Sequence, residues 1–110
     1  MARLIAIPAV LALLLGGCAS VDIGKDFDLR TFEQRVQVGE TQRTDVRRWL
    51  GEPVSTGQVV RPDGSRLEEW SYYHGTGRMP RMDNARLKYL EIRFRADGTV
   101  DSYKWSGETD

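Results

Sequence analysis

The chain has one cysteine, Cys18, and one histidine, His74, so chemistry that depends on these side chains is restricted. On a strand through this region His74 would share a face with Glu68 and could act as a general base. A histidine at a strand end beside glycines is more often simply solvated. No second histidine or cysteine is present to complete a zinc-type metal site. With one histidine and one cysteine, the chain is more typical of a binding protein without a cofactor than of an enzyme.

Two further patterns carry little chemistry. Glu68 and Glu69 cannot act as a carboxylate pair on a strand, because neighbouring side chains point to opposite faces. The glycine-rich run at residues 75–78 lacks the strand-to-helix context of a phosphate-binding loop. Neither pattern changes the preference for a binding protein.

The N-terminal segment has the pattern of a secretory signal. Arg3 precedes an apolar run of about 12 residues, which is short against the roughly 20 that a membrane span needs. The run ends in Leu-Gly-Gly before Cys18 and resembles the lipobox of bacterial lipoproteins. That resemblance implies cleavage of residues 1–17, a diacylglyceryl thioether on Cys18 and a further acyl chain such as palmitate on its new amino group. By similarity to lipoprotein sorting, Ala19 implies an outer-membrane destination.

Two alternatives to lipidation remain open for this segment. One is a buried apolar helix, which Pro8 interrupts and which Gly16 and Gly17 weaken at its end. The other is a secreted protein with a free thiol, an unusual state in an oxidising compartment. Lipidation accounts for the lone cysteine better than either alternative.

The charge balance argues against nucleic acid as a partner. Removing residues 1–17 takes away Arg3 from the 16 basic side chains, which leaves 15 against 16 acidic ones. A protein that binds a polyanion usually has an excess of basic side chains, whereas the net charge of this chain is close to zero.

Residues 38–53 predict a short helix with its own start and stop signals. Thr41 is placed to cap the first turn, and Val46 and Leu50 lie on one face with Trp49. Gly51 then closes the helix in a left-handed conformation, and a proline two residues later prevents its continuation. An earlier helix, with Asp28 as its cap and Leu29, Phe32 and Val36 at helical spacing, precedes it.

The rest of the chain predicts antiparallel strands. A Pro-Asp-Gly turn at residues 62–64 joins a short strand at 58–60 to a strand at 66–73, whose Trp70 and Tyr72 should face the helices. Alternation of Leu90, Ile92 and Phe94 with charged residues marks the next strand, and a turn at 96–99 leads to the last, at 100–105. Residues 18–26 are expected to form a short tether, residues 27–106 the domain, and residues 107–110 a tail.

The segment at residues 75–84 predicts an exposed connection, since it has two glycines, a proline and no periodicity. Cations alternate there with methionines in a way that suits anionic lipid or an acidic partner. The residues concerned are Arg78, Met79, Arg81 and Met82. Two alternatives stay open: nearby acids neutralise this loop, or the binding face is the open side of the sheet, where Tyr73, Tyr89 and Tyr103 are candidates.

The ordered combination of these motifs resembles the SmpA/OmlA (BamE-like) family of outer-membrane lipoproteins. The pattern V-G-x-T-x-x-x-V-x-x-x-L-G-x-P is followed by a Trp-Ser-Tyr strand and an L-x-I-x-F strand. The resemblance covers about residues 32–100. Its motif positions in this chain are Gly39, Thr41, Val46, Leu50, Gly51, Pro53, Trp70 and Tyr72.

The resemblance implies an α+β fold of two short helices followed by a three- to four-stranded antiparallel sheet, similar to β-lactamase inhibitor proteins. It also implies an accessory role in outer-membrane β-barrel assembly, with assembly-machinery proteins and anionic phospholipid as partners. Alternatives are a stand-alone, osmotically induced type of envelope lipoprotein with the same domain, and an inhibitor-like domain that docks on an enzyme.

Overall fold

The computed structural model describes residues 19–79, 81 and 84–107, which form two helices and a five-stranded antiparallel sheet, an α+β fold. The helices are α1 (Leu29–Arg35) and α2 (Arg43–Leu50). The strands, in chain order, are β1 (Ser20–Gly24), β2 (Ser55–Val60), β3 (Arg66–Arg78), β4 (Arg86–Phe94) and β5 (Val100–Ser106). In this part of the chain, no helix has the length and apolar character needed to cross a membrane.

The long strand β3 is the centre of the sheet. One of its edges pairs with β4, which in turn pairs with β5. Its other edge is shared, because β1 pairs with residues 74–78 and β2 pairs with residues 66–71. The two ends of β3 therefore lie in different surroundings.

Both helices pack on one face of the sheet. Trp70 and Tyr72 point to this face and are 1% and 2% exposed, as the sequence predicts. The Tyr72 hydroxyl donates a hydrogen bond to the Gly51 carbonyl at 2.8 Å, which ties the end of α2 to β3. The other buried apolar residues of this core are Phe27, Leu29, Phe32, Val46, Leu50, Leu90, Ile92, Phe94 and Val100.

The predicted start of α2 is wrong by one residue. Thr41 does not cap the helix; its hydroxyl accepts a hydrogen bond from the backbone N–H of Gln37 at 2.8 Å. Gln42 is the N-cap residue, and the Asp45 carboxylate accepts from its N–H at 2.9 Å. Asp45 is thus the acidic N3 member of a capping box and satisfies the backbone N–H of the N-cap residue.

The other helix signals are confirmed. The Asp28 carboxylate accepts a hydrogen bond from the Thr31 N–H at 3.0 Å and caps α1. Gly51 ends α2 with φ 81° and ψ −166°. This is positive φ as predicted, although its ψ belongs to the extended glycine region rather than to the left-handed helical one.

The tether predicted at residues 18–26 is wrong for residues 20–24, which form β1. The strand pairs with β3 from Ser20 opposite Arg78 to Gly24 opposite His74. Its apolar alternation is limited to Val21 and Ile23, and its side chains are mostly exposed, so the segment gave only a weak strand signal. The domain consequently begins before residue 27.

The exposed connection predicted at residues 75–84 is wrong for its first part. Gly75 to Arg78 continue β3 and pair with β1, and Gly75 and Thr76 also pair with β4. The sequence shows no apolar alternation here, since glycines alternate with polar residues. Gly75 packs beneath Ile23 and Leu87, where a Cβ would come within 2.8 Å of the Ile23 side chain.

Candidate binding surface

The predicted loop lies beside the start of the described chain. The backbone N–H of Met79 donates to the Ala19 carbonyl at 3.0 Å, and Ser20 pairs with Arg78. Residue 18 is therefore one peptide bond from a residue that is fixed against this loop. Cys18 and Met82 themselves lie outside the described residues.

The described loop residues are accessible. Arg78 and Arg81 are exposed, and the Met79 side chain is 45% exposed. The structure thus places Arg78, Met79 and Arg81 at one end of β3, close to Ala19.

An apolar patch that sequence reasoning missed borders this loop. Ile23, Gly75 and Leu87 lie side by side across β1, β3 and β4 on the sheet face opposite the helices. Ile23 is 53% exposed and Leu87 is 56% exposed. With Val21 and neighbouring residues they line a shallow groove of about 200 Å³ with mostly apolar walls. The patch could not be found from the sequence because it requires the pairing of β1.

His74 belongs to a polar cluster rather than to a pair with Glu68. Its Nδ1 lies 3.5 Å from the Asp26 carboxylate and its Nε2 lies 3.9 Å from Asp22. The Lys88 Nζ is 2.6 Å from Asp26 and donates to the Phe27 carbonyl at 2.5 Å. Both aspartates come from the segment that was expected to be a tether, so no sequence pattern predicts their position beside His74.

The hydrogen bond from Lys88 holds the pKa of Asp26 below its ordinary value, against a smaller opposing effect of burial. The cluster borders an open cavity of about 470 Å³, which is also lined by Thr76, Ala85, Arg86, Leu87 and Gly107. Lys88 contacts both Asp26 and the Phe27 carbonyl. These two contacts hold the chain at the point where it enters the hydrophobic core.

Glu68 and Glu69 point to opposite faces, as predicted. The Glu68 carboxylate accepts from the Trp70 indole N–H and lies 3.2 Å from Arg43 on the helix side. Glu69 accepts from Arg93 at 3.1 Å on the open side. Each carboxylate has its own cationic partner, and neither lies near His74 in the pairing of β3.

The open face of the sheet carries two of the three tyrosines expected there. Tyr73 and Tyr89 are directly paired across β3 and β4, and both are half-buried. The placement of Tyr103 is wrong: it lies on the helix side, with its ring centroid 5.1 Å from Phe32 in an edge-to-face contact. A bulge between β4 and β5 interrupts simple alternation there.

The Tyr89 hydroxyl donates to the Glu91 carboxylate, which lowers the pKa of Glu91 and raises that of Tyr89. Arg93 and Lys104 flank the same carboxylate at 3.5 Å and 3.7 Å. The open face is therefore apolar at the end near Ile23 and charged around Glu91.

Two general findings complete the description. Across the described parts of the chain, no group of three or more histidine, cysteine, aspartate or glutamate side chains is arranged to hold a metal ion. Comparison of the chain with models of known protein families, with curated proteins and with solved structures found no significant match.

Proposed function

We propose that the chain is a non-catalytic outer-membrane lipoprotein, anchored on the periplasmic face by acyl chains on Cys18. It carries an SmpA/OmlA-type domain and acts as an accessory in the assembly and insertion of β-barrel proteins. The observation that carries this proposal is the hydrogen bond between Ala19 and Met79. This bond supports the proposal because Ala19, the residue that follows the predicted lipid site, lies beside the segment predicted to contact lipid or a partner.

The composition of this end of the domain supports a membrane-proximal position. Two exposed cations, Arg78 and Arg81, flank the exposed Met79 in the chain, and Ile23 and Leu87 are exposed on the open face at the same end of the sheet. Each cation near an anionic surface contributes about 1 kcal/mol, which is useful mainly beside an existing anchor. Acyl chains on Cys18 would supply that anchor.

The assembly role rests on the ordered motifs that resemble the SmpA/OmlA family. Two of these motif residues are in direct contact, since Gly51 ends α2 and its carbonyl accepts the hydrogen bond of the Tyr72 hydroxyl. The helices leave one sheet face open, with Tyr73 and Tyr89 at its centre. An open face with aromatic side chains suits a protein partner, and by resemblance this partner is a subunit of the β-barrel assembly machinery.

Affinity purification of the full-length protein from detergent-solubilised envelopes tests the role, with a Cys18→Ser variant as control. Mass spectrometry would identify co-purifying proteins and measure acylation of Cys18 in the same sample. Recovery of assembly-machinery subunits with the acylated protein alone supports the proposal. An acylated protein that recovers none of them contradicts the assembly role and favours a stand-alone envelope lipoprotein.

A further inference from the structure

Strand β1 is attached to the domain by backbone pairing with few apolar contacts. Among the described strands it pairs only with β3, and none of its side chains is fully buried. Val21 is half-buried and Ile23 is 53% exposed. In β4, by contrast, Leu90 and Ile92 are completely buried. The described contacts of β1 therefore lack the burial that holds the other half of the sheet.

A strand held by backbone hydrogen bonds alone has nearly equal free energies in its paired and released states. The net gain of one hydrogen bond in water is similar to the conformational entropy lost by ordering one residue. Elements with few buried contacts and exposed hydrogen bonds open locally while the rest of the fold stays intact. The polar contact of β1 with β3, between Asp22 and His74, is 3.9 Å long and belongs to an aspartate whose side chain is 70% exposed.

The structure also defines the point in the chain at which local opening of β1 would stop. Gly24 has φ 73°, a conformation that favours glycine, and a Cβ there would overlap the Tyr73 carbonyl oxygen. Two residues later the chain is fixed, because Lys88 contacts both Asp26 and the Phe27 carbonyl. Phe27 is 6% exposed and belongs to the core.

We propose that β1 is a releasable strand that sets the distance between the domain and the membrane. When paired, it holds residue 19 against Met79 and keeps the loop end of β3 at the anchor. When released, residues 19–24 become a tether that extends at most about 20 Å, at 3.3–3.6 Å per residue. Release also uncovers the β3 edge at residues 74–78. The effect on membrane distance rests on the proposed anchor at Cys18, whereas the release itself does not.

Hydrogen exchange of the full-length protein in nanodiscs, read by mass spectrometry, tests the release. Backbone amides at residues 20–24 should exchange at least about 100-fold faster than those of Leu90 and Ile92, through local opening. Equal protection of the two segments would overturn the proposal. Intact mass of the same sample reports acylation of Cys18, so failure of the anchor and failure of the release are read separately.

Two variants shift the equilibrium in opposite directions. Gly24→Ala should raise exchange at residues 20–24 further while leaving the thermal midpoint of the core unchanged. Gly57→Ala is the matched control in β2, since a Cβ there meets nothing within 4 Å, and exchange at residues 20–24 should stay as in the parent. A cross-strand disulfide from Asp22→Cys with Thr76→Cys, which are paired residues, should suppress the fast exchange. If the disulfide forms and exchange does not change, or if Gly24→Ala lowers the core midpoint without affecting residues 20–24, the proposal is wrong.

Discussion

The backbone N–H of Met79 donates a hydrogen bond to the carbonyl oxygen of Ala19 over 3.0 Å. These residues are far apart in the chain, and their contact defines one end of the domain. It brings the segment that follows the predicted lipid site to the loop that carries Arg78 and Arg81. Both the proposed orientation and the proposed release of β1 depend on this contact.

Arg78 is expected to contribute to attraction toward anionic lipid. Charge reversal by Arg78→Glu should weaken binding to phosphatidylglycerol-containing vesicles about 30-fold, because it removes one cation and adds one anion, and each charge near such a surface is worth about 1 kcal/mol. Co-sedimentation would measure it in a Cys18→Ser background, where acyl chains do not mask the effect. Arg66→Glu, at the opposite end of β3, is the matched control and should leave binding nearly unchanged. Equal losses in both variants would count against a localised lipid surface.

Gly51 is expected to be conformationally required. A non-glycine residue with φ 81° and ψ −166° is strained, so Gly51→Ala should lower the free energy of unfolding by about 1–3 kcal/mol. A Cβ at this position meets nothing within 4 Å, so the loss reports backbone strain alone. Denaturant unfolding would measure it against Gly57→Ala, which is expected to be nearly neutral. A neutral Gly51→Ala would show that the helix end relaxes.

Tyr72 is expected to stabilise the junction of α2 with β3 through its hydroxyl. Burial raises the pKa of Tyr72, so the hydroxyl stays protonated and donates to Gly51. Tyr72→Phe leaves that carbonyl without its donor and should cost about 1–1.5 kcal/mol in unfolding free energy. Tyr73→Phe, on the open face, should change stability by less than about 0.5 kcal/mol. Equal effects of the two substitutions would contradict the assigned hydrogen bond.

Lys88 is expected to control the titration of Asp26. Its hydrogen bond holds the pKa of Asp26 below the ordinary 3.8, so ionised Asp26 stabilises the fold above pH 3.8. That contribution is lost as the pH falls through the lowered pKa. Lys88→Met should raise the pKa of Asp26 in a carboxyl NMR titration. Loss of the ion pair itself has a small effect on stability because Asp26 is largely exposed, whereas loss of the hydrogen bond to the Phe27 carbonyl should cost about 1 kcal/mol. Asp63, whose pKa is lowered by Ser65 in a distant turn, should titrate unchanged.

The sequence predicted the elements that have local signals. Asp28, the buried face of α2, Gly51 and the alternation of β4 each act within a few residues, and the structure agrees with them. The sequence did not predict the elements whose strand pairing is long-range. β1 and the continuation of β3 beyond Gly75 have little apolar alternation, because glycines and exposed side chains pack there.

The candidate surface was predicted in part for the same reason. The exposure of Arg78 and Met79 was predicted from composition and is confirmed, although Arg78 ends β3, and their contact with lipid or a partner stays a prediction. The apolar patch of Ile23 and Leu87 and the cluster at His74 both depend on β1. Their members are spread over three segments of the chain, so no local pattern joins them.

The most direct test of the proposed anchoring is the depth of two spin labels in the acylated protein on nanodiscs. One label replaces Met79 and the other replaces Val60, which is 61% exposed beside the opposite end of β3. Relaxation by a headgroup-bound paramagnet should be strong at residue 79 and weak at residue 60. Equal relaxation at both positions, or stronger relaxation at residue 60, would contradict a domain held with its Ala19–Met79 end at the membrane.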